Sequence, residues 1–574
     1  DKYSAFSFPI MFIAALSCVY LHLHKKSPNS NSNEMRGLGR RLALWRSPVS
    51  VKAPLGIVSS VELCFAVMFV VLLIWSLANY LYVSFSGHLH MHAGDKIWQA
   101  KFRSVSLRLG YIGNICWAFL FFPVTRGSSL LPLVGLTSES SIKYHIWLGH
   151  LSTVLFAAHT VGFFIYWIMA NQMVEALEWS QTYVSNVAGE IAMVVALIMW
   201  VASFNRVRRK MFEVFFYTHQ LYTIYIIFYV LHVGAAYFCM ILPGIFLFLI
   251  DRYLRFLQSR DRVRLLSSRI LPGGNFEMTF AKTPGLQYNP TSILFINVPS
   301  ISKLQWHPFT ISSNSNIEID KLSIMVRTEG SWSQKLYKQL SSSVNHLDVS
   351  VEGPYGPSSF SFLRHEALIM VSGGSGITPF ISIIREIMFQ STIPNSHVPR
   401  VVLVCAFKTS ADLAMLDLLL PISGSHAEQI SQIELQIEAY VTQENEQPTI
   451  EAQKTIKTTY FKSNPMDRPI SSTFGPNSWL WLGAIISSSF VLFLLVLGLV
   501  TRYYIYPVDN SGGFYHYSYR YTKQIQNVEM GTPTSSPAAW SYVVGDYREV
   551  ESLPNQSLAQ AIKVHFGARP DLKS

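Results

Sequence analysis

Apolar residues in this chain run in stretches too long and too continuous for the core of a soluble domain. A hydrocarbon core of about 30 Å takes roughly 20 apolar residues as helix. Eight stretches reach that scale, near 5–23, 55–83, 108–132, 143–170, 186–204, 213–236, 238–257 and 478–505. Seven of them precede residue 260, so the pattern predicts a bundle of membrane helices, a long polar region and one late crossing. From about 262 the texture changes to short β-branched runs broken by Pro and Gly, at 276–280, 292–298, 322–326 and 347–351, which predict the strands of a small barrel. From Ala367 the order becomes ALIMV, SGGSGITP, FISIIREIMF and later VVLVCAF, a strand, a glycine-rich turn, a helix and a strand. That order predicts a βαβ nucleotide domain. Residues 421–475 are polar, Gln/Glu-rich around 441–452, and are expected to form an insertion or linker.

Half of the residues are apolar and only 14% are charged, which places much of the chain in lipid. The net charge of +11 invites a nucleic-acid reading, but its distribution argues against one. Lys25, Lys26, Arg36, Arg40, Arg41, Arg46 and Lys52 follow the first stretch, Arg206, Arg208, Arg209 and Lys210 the fifth, and Arg252, Arg255, Arg260 and Arg262 the seventh. With alternating crossings all three clusters fall on one side, the positive-inside pattern. No nucleic-acid partner is expected, and membrane lipid is. The polar region from about 260 to 475 then lies on the cytosolic or equivalent side. Five scattered cysteines, with no CxxC among them, fit a chain without a disulfide framework. The chain begins at Asp1 and not Met, so a preceding piece is expected and no targeting segment is legible.

Histidines stand out against this background, because an imidazole in a membrane helix needs a partner or a task. His145, His150 and His159 lie in the fourth stretch, His219 and His232 in the sixth. The step from His145 to His159 returns to within roughly 40° of the same helical face about 21 Å further along, and the step from His219 to His232 rises a nearly equal 20 Å or so. Two helices carrying imidazoles at matched depths can hold two haems with bis-His ligation. The parallel directions of the two stretches pair His145 with His219 at the inner site and His159 with His232 at the outer one. His150 aligns with neither. A step of thirteen leaves an ideal helix roughly 140° out of phase, so the sixth stretch must tilt, kink or approach the two haems from different sides. Packed or pore-lining histidines are the plain alternative for any one of them alone. The absence of CxxCH argues against covalent haem attachment. Glu62 and Glu190, in or near apolar stretches, are expected to pair at an interface or between helices, with proton handling as the alternative. His88, His90 and His92 form an alternating loop on the outer side that is more simply hydrated than metal-binding.

Four short motifs follow in order. His307-Pro308-Phe309-Thr310 can offer backbone groups and an aromatic cover to an isoalloxazine edge. Arg327 and the Gly330-Ser331 turn precede a helical pattern and make a pyrophosphate seat. Gly353-Pro354-Tyr355-Gly356 comes next, then Gly373-Gly374-Ser375-Gly376-Ile377-Thr378-Pro379, where turns without side chains let a second nucleotide's phosphates approach the backbone. Each is weak alone, and the ordered set is strong.

On these residues, and on FFPVTRGSSLLPLVGLTSESSIKYHIWLGHL, the chain resembles the plant ferric-chelate reductases, in the superfamily that also holds yeast ferric reductases and NADPH oxidases. The resemblance implies a multi-pass α-helical haem domain joined to a cytosolic ferredoxin-reductase-like module, an antiparallel β-barrel for FAD and an α/β domain for NADPH. It matches His145, His159, His219 and His232 to the ligands of two b-type haems, His307 to Thr310 to the FAD motif and Gly373 to Pro379 to the NADPH motif. The expected boundaries are 1–54 for a first crossing and basic loop, 55–257 for the haem domain, 262–360 for the FAD domain and 361–574 for the NADPH domain, the last interrupted by the crossing near 478–505. The implied reaction moves hydride from NADPH to FAD, then single electrons through the inner and outer haems to a ferric chelate, in service of iron uptake; the sequence leaves Cu(II) open as an acceptor. No acid–base triad is needed. Relatives of this kind end on a Cys-Gly-Pro-type segment near the nicotinamide and pair the late crossing with another. This chain stops at Ser574 with neither, so nicotinamide alignment is expected to be impaired, and because a single crossing would strand residues 506–574 outside, away from the nucleotide domain, a spliced or incomplete sequence is expected. The rival readings are a superoxide-producing NADPH oxidase, for whose regulated form no EF-hand pattern is visible, and a catalytically impaired membrane cytochrome. The plasma membrane is the expected address, with chloroplast or another organelle as alternatives. Oligomeric state is not legible.

Overall fold

In a computed structural model the described residues are 4–26, 48–50, 56–86, 96–179, 185–342, 345–357, 362–394, 396–419, 433–445, 456–472, 478–500, 502–503 and 562–570. The chain divides into one unit of residues 1–487 with 562–574 and a second of 488–561. What the second unit shows among its described residues is the later part of a helix, α11 (Trp479–Val500).

Among the described residues seven helices have the length and composition to cross a bilayer. The expected first crossing falls short of that measure. α1 (Ser4–Lys26) holds an apolar run only from Pro9 to Leu23, bounded by a proline and by Lys25 and Lys26. A short antiparallel pair, β1 (Pro48–Ser50) and β2 (Val58–Ser59), leads into α2 (Ser60–Phe85). Ser59 and Glu62 form a capping box at its start, each side chain accepting the other's backbone N–H at 3.3 Å. The most apolar window of α2 buries no residue, and Trp75 is 71% exposed, a surface that water would not tolerate and lipid requires.

α3 (Ile97–Leu120) departs from the expected 108–132 at both ends. It stops early because Pro123 lacks an N–H and forces a 3-10 turn, Phe122–Val124. It starts early because Lys101, Arg103 and Arg108 are absorbed into the helix. Arg108 donates to Ser84 at 3.0 Å and lies 4.9 Å over the Tyr111 ring. α4 (Ser138–Ala170) is continuous and α5 (Asn186–Ser203) follows the expected span. After the short basic α6 (Asn205–Lys210), the sixth crossing is interrupted between α7 (Phe212–His219) and α8 (Tyr222–Ser259), between the two histidines whose phases differ. Gly234, at φ 74° and ψ 173°, then divides α8, and Tyr237–Ser259 forms the next crossing.

The polar region folds as a barrel and a parallel sheet. Barrel strands β3 (Leu265–Ile270), β4 (Asn275–Ala281), β5 (Ile293–Asn297), β6 (His307–Thr310), β7 (Lys321–Arg327) and β8 (Ser350–Tyr355) enclose Phe276, Met278, Phe280, Leu294, Ile296 and Ile324, and α9 (Ser331–Ser341) packs Trp332 and Leu336 onto them. The nucleotide sheet is parallel, built from β9 (Ala367–Gly373), then α10 (Thr378–Ser391) and β10 (Arg400–Phe407), then β11 (Leu435–Val441).

Two expectations about the later chain are corrected. Residues 421–475 are not only a linker, because β11 belongs to the nucleotide sheet and β12 (Lys457–Tyr460) pairs with β3 of the barrel. β12 is a polar edge strand, so it carries no apolar alternation to read. Nor is the end of the chain stranded away from the nucleotide domain. β13 (Ile562–Phe566) pairs in parallel with β11, giving the order β13-β11-β10-β9.

Candidate functional site

The four membrane histidines meet as two facing pairs. Ring centres of His145 and His219 are 6.1 Å apart, those of His159 and His232 6.2 Å. A metal–imidazole bond of about 2 Å plus roughly 1.1 Å from that nitrogen to the ring centre, counted on both sides, spans about 6 Å. The tautomers are set by the neighbouring backbone. Nδ1 of His145 donates to the Leu120 carbonyl, Nδ1 of His159 to Ser106 and Nδ1 of His232 to Ser185, each at 2.9 Å, which leaves Nε2 with its lone pair free to ligate. Nδ1 of His219 is buried without a hydrogen-bond partner. Among the described residues no cluster of three or more His, Cys, Asp or Glu forms. Two imidazoles are an incomplete shell for a bare ion, whereas a porphyrin brings the remaining four donors, so the donor set fits haem.

The surrounding space fits as well. A cavity of about 640 Å³ opens beside the His159–His232 pair, lined by Gly110, Phe163, Trp167, Gly189 and Glu190 among others. A Cβ at Gly110 would lie 2.8 Å from Nδ1 of His159, and one at Gly189 2.5 Å from Nδ1 of His232, so both rings are seated on bare backbone. Between the pairs along the helices, the buried rings of Trp117, Tyr225 and Tyr229 stack, Trp117 lying 4.8 Å from Tyr225 and 5.2 Å from Tyr229. The sequence reading passed over these glycines and aromatics. Their only signal was placement, Tyr225 and Tyr229 falling between the two histidines of one helical run. His150 has other work, accepting from Trp200 Nε1 at 2.8 Å and stacking on Phe204. Glu62 pairs with Lys143 at 2.7 Å and accepts from Tyr144, while one oxygen of Glu190 is buried without a hydrogen-bond partner. His88, His90 and His92 lie outside the described residues.

On the soluble side, β6 carries His307 to Thr310. The His307 ring lies 4.2 Å from Trp332 and 6.0 Å from Phe212, and Phe309 stacks on Trp332 at 6.2 Å. The strand therefore abuts the start of α7, whose far end is His219. Burial pushes the His307 imidazole below the usual histidine range. Arg327 ends β7, and Gly330 caps α9 ahead of Ser331, whose hydroxyl donates to Glu213 at 3.3 Å. Gly374, at φ 54°, leaves room for Arg327, since a Cβ there would sit 2.5 Å from its guanidinium. The two nucleotide motifs are thus adjacent. Gly330, Gly373 and Gly376 face open space where a side chain would project, a bare backbone that phosphates can approach. Ile377 is buried, Thr378 donates to the Ser375 carbonyl at 2.9 Å and Pro379 stands in the first turn of α10. Gly353 is held through both backbone groups by Gln258 of α8, its N–H donating at 2.8 Å and its carbonyl accepting at 2.6 Å.

Comparison with known proteins assigns each part. A ferric reductase like transmembrane component matches residues 109–231, an FAD-binding domain 260–359 and a ferric reductase NAD binding domain 365–574. The chain is 56% identical to Ferric reduction oxidase 4 of Arabidopsis thaliana over 98% of its own length and 85% of that protein's. It is 49% identical to Ferric reduction oxidase 2 of the same plant, over 99% and 83%, and 48% identical to its Ferric reduction oxidase 3, mitochondrial, over 99% and 81%.

Proposed function

Because this chain belongs to the ferric reduction oxidase family, we propose that it passes electrons from NADPH, through FAD and two b-type haems, to a ferric chelate across the membrane. The observation that carries the reading is the two facing imidazole pairs, each at the separation that a bis-His iron site needs. His145 with His219 would hold the inner haem and His159 with His232 the outer one. His307 to Thr310, Arg327, Gly330 and Ser331 would hold FAD, and Gly373 to Pro379 with Gly353 the second nucleotide. When bound, the flavin would take a hydride from NADPH and the haems would carry its two electrons one at a time. The chain supplies placement. Backbone carbonyls fix the imidazole tautomers, packed aromatics keep the space between the pairs dry, and glycines open the backbone to phosphate.

A ferric chelate is the acceptor class, for iron uptake, with Cu(II) as a secondary acceptor. The protein is multi-pass, and the plasma membrane is its proposed address, although one relative's name places that protein in mitochondria. The test is a reduced-minus-oxidised spectrum of the purified chain, together with NADPH-dependent ferric reduction with and without superoxide dismutase. Two bis-His b haems and dismutase-insensitive Fe(II) support the reading. Dismutase-sensitive reduction would make it a superoxide source, and material without porphyrin, or with unchanged porphyrin after replacement of all four histidines, rejects it.

A further inference from the structure

Three buried charged side chains and a fourth that is half-buried cluster where the barrel meets the membrane helices. Near the end of α8, Nε of Arg255 donates to Asp251 at 2.9 Å. Glu352 of β8 accepts from Arg126 at 2.5 Å and from Arg255 at 3.5 Å. Asp251 also accepts the backbone N–H of Arg126 at 3.3 Å and of Gly127 at 2.8 Å, which pins the turn that follows α3. The side chains of Asp251, Arg255 and Glu352 retain 7% of their exposure and Arg126 22%. Two cations and two anions cancel, and each has a partner.

Such a cluster contributes little net stability that a well-packed apolar set could not match. What forked, charge-assisted bonds add is fixed geometry. The cluster's place in the fold gives that geometry a use. On one side, Arg126 follows the end of α3, where the Leu120 carbonyl accepts Nδ1 of His145. On the other, Glu352 stands opposite Phe295 of β5, and Phe295 stands opposite Pro308 of β6, the neighbour of His307. The Arg126 guanidinium itself lies 3.4 Å over the Phe295 ring, and Gln258 clasps Gly353 one residue beyond Glu352. A continuous run of fixed contacts therefore joins the inner imidazole pair to the flavin strand, and the four charges are its joint.

We infer that Arg126, Asp251, Arg255 and Glu352 are positioning residues that set the gap between the flavin strand and the inner imidazole pair, and with it the rate of electron entry into the membrane. The inference rests on the proposed reading of His145, His219 and His307 to Thr310. In balance, NADPH and two ferric ions give NADP⁺, a proton and two ferrous ions. The joint governs the one-electron transfers out of the hydride-reduced flavin, not the hydride transfer into it.

The experiment is rapid mixing of NADPH with full-length Glu352→Gln protein in lipid discs, reading flavin bleaching and the ferrous haem band on one sample. A misplacement of about 1 Å can cost on the order of a hundredfold in rate. The expected result is flavin bleaching within about twofold of the parent and haem reduction slowed about tenfold or more, with FAD and haem contents unchanged. Glu352→Asp should recover part of the rate. Haem reduction at the parent rate overturns the inference. So does equal slowing of both steps, or loss of FAD, since either means that the cluster serves only the barrel's fold. If Glu352→Gln does not accumulate, Arg255→Lys, which keeps the charge and loses the fork across Asp251 and Glu352, carries the same test. Parent protein lacking haem or FAD would sink the proposed function and this inference together, an outcome visible in its spectrum before any mixing.

Discussion

At the scale of single residues, the site depends on what is missing as much as on what is present. Gly110 and Gly189 each give an imidazole bare backbone to rest on, and a methyl group at either would enter the His159 or His232 ring. Gly189→Ala is therefore expected to cost the outer haem while sparing the inner pair, so that haem per chain falls from two toward one. Pyridine haemochrome titration checks this, and an unchanged ratio rejects it. The histidines were legible in the sequence because their spacing is a property of one helix. The glycines were not, because the ring each one meets belongs to another helix. His307 makes a prediction about pH. Its folded-state pKa is depressed by burial, so the unfolded chain binds the proton more readily. Its contribution to stability is then complete above the ordinary histidine value of about 6.5 and is lost as pH falls below it. FAD retention, followed by flavin fluorescence, should weaken on acidification through that range, and His307→Gln should flatten the slope. A slope that survives the substitution removes His307 as its cause.

At the scale of elements, hydropathy located the crossings and misjudged their ends wherever a charge or a proline intervened. Arg103 and Arg108 hid the first half of α3 because their charges are satisfied within the bundle, by ring contacts and by Ser84, which no window average registers. β12 was illegible for the opposite reason, since a polar edge strand has one wet face and too few residues to alternate. The sixth crossing was read less closely. Its thirteen-residue step left a tilt, a kink or an approach from different sides open, and the helix is interrupted between α7 and α8, just past His219. Gly234 then closes the run two residues beyond His232 with backbone angles that only glycine adopts readily. Beyond its own stretch of helix, no atom of the described residues lies within 4 Å of a Cβ placed there, so a substitution meets strain and no clash. Gly234→Ala should destabilise the protein by about 1–3 kcal/mol, lowering its melting temperature in detergent. Gly234→Asn should fare no better, because a ψ of 173° lies outside the left-handed pocket that asparagine tolerates. Rescue by asparagine would contradict this account.

At the scale of the whole molecule, the order of domains was legible because each announces itself locally, by apolar length, by β-branched runs and by a glycine turn between strand and helix. Pairings across long stretches of chain are not local, and the late strand shows the cost of reading without them. Counting crossings stranded everything after residue 505 outside the nucleotide domain, yet Ile562–Phe566 lies in register beside Leu435–Val441. Parallel strands are stable only when their ladder is shared by neighbours and their faces are covered. β13 therefore protects β11, which would otherwise be the sheet's bare edge. Since β9 of the same sheet runs directly into the Gly373 to Pro379 turn, loosening one edge should be felt at the nucleotide end. Removing residues 562–574 is expected to raise the KM for NADPH several-fold while leaving the haem spectrum unchanged, because β13 is built into the nucleotide sheet and not into the helices that carry the four histidines. A changed haem spectrum would mean that the strand supports the membrane domain as well. An unchanged KM would mean that three strands suffice to hold the turn.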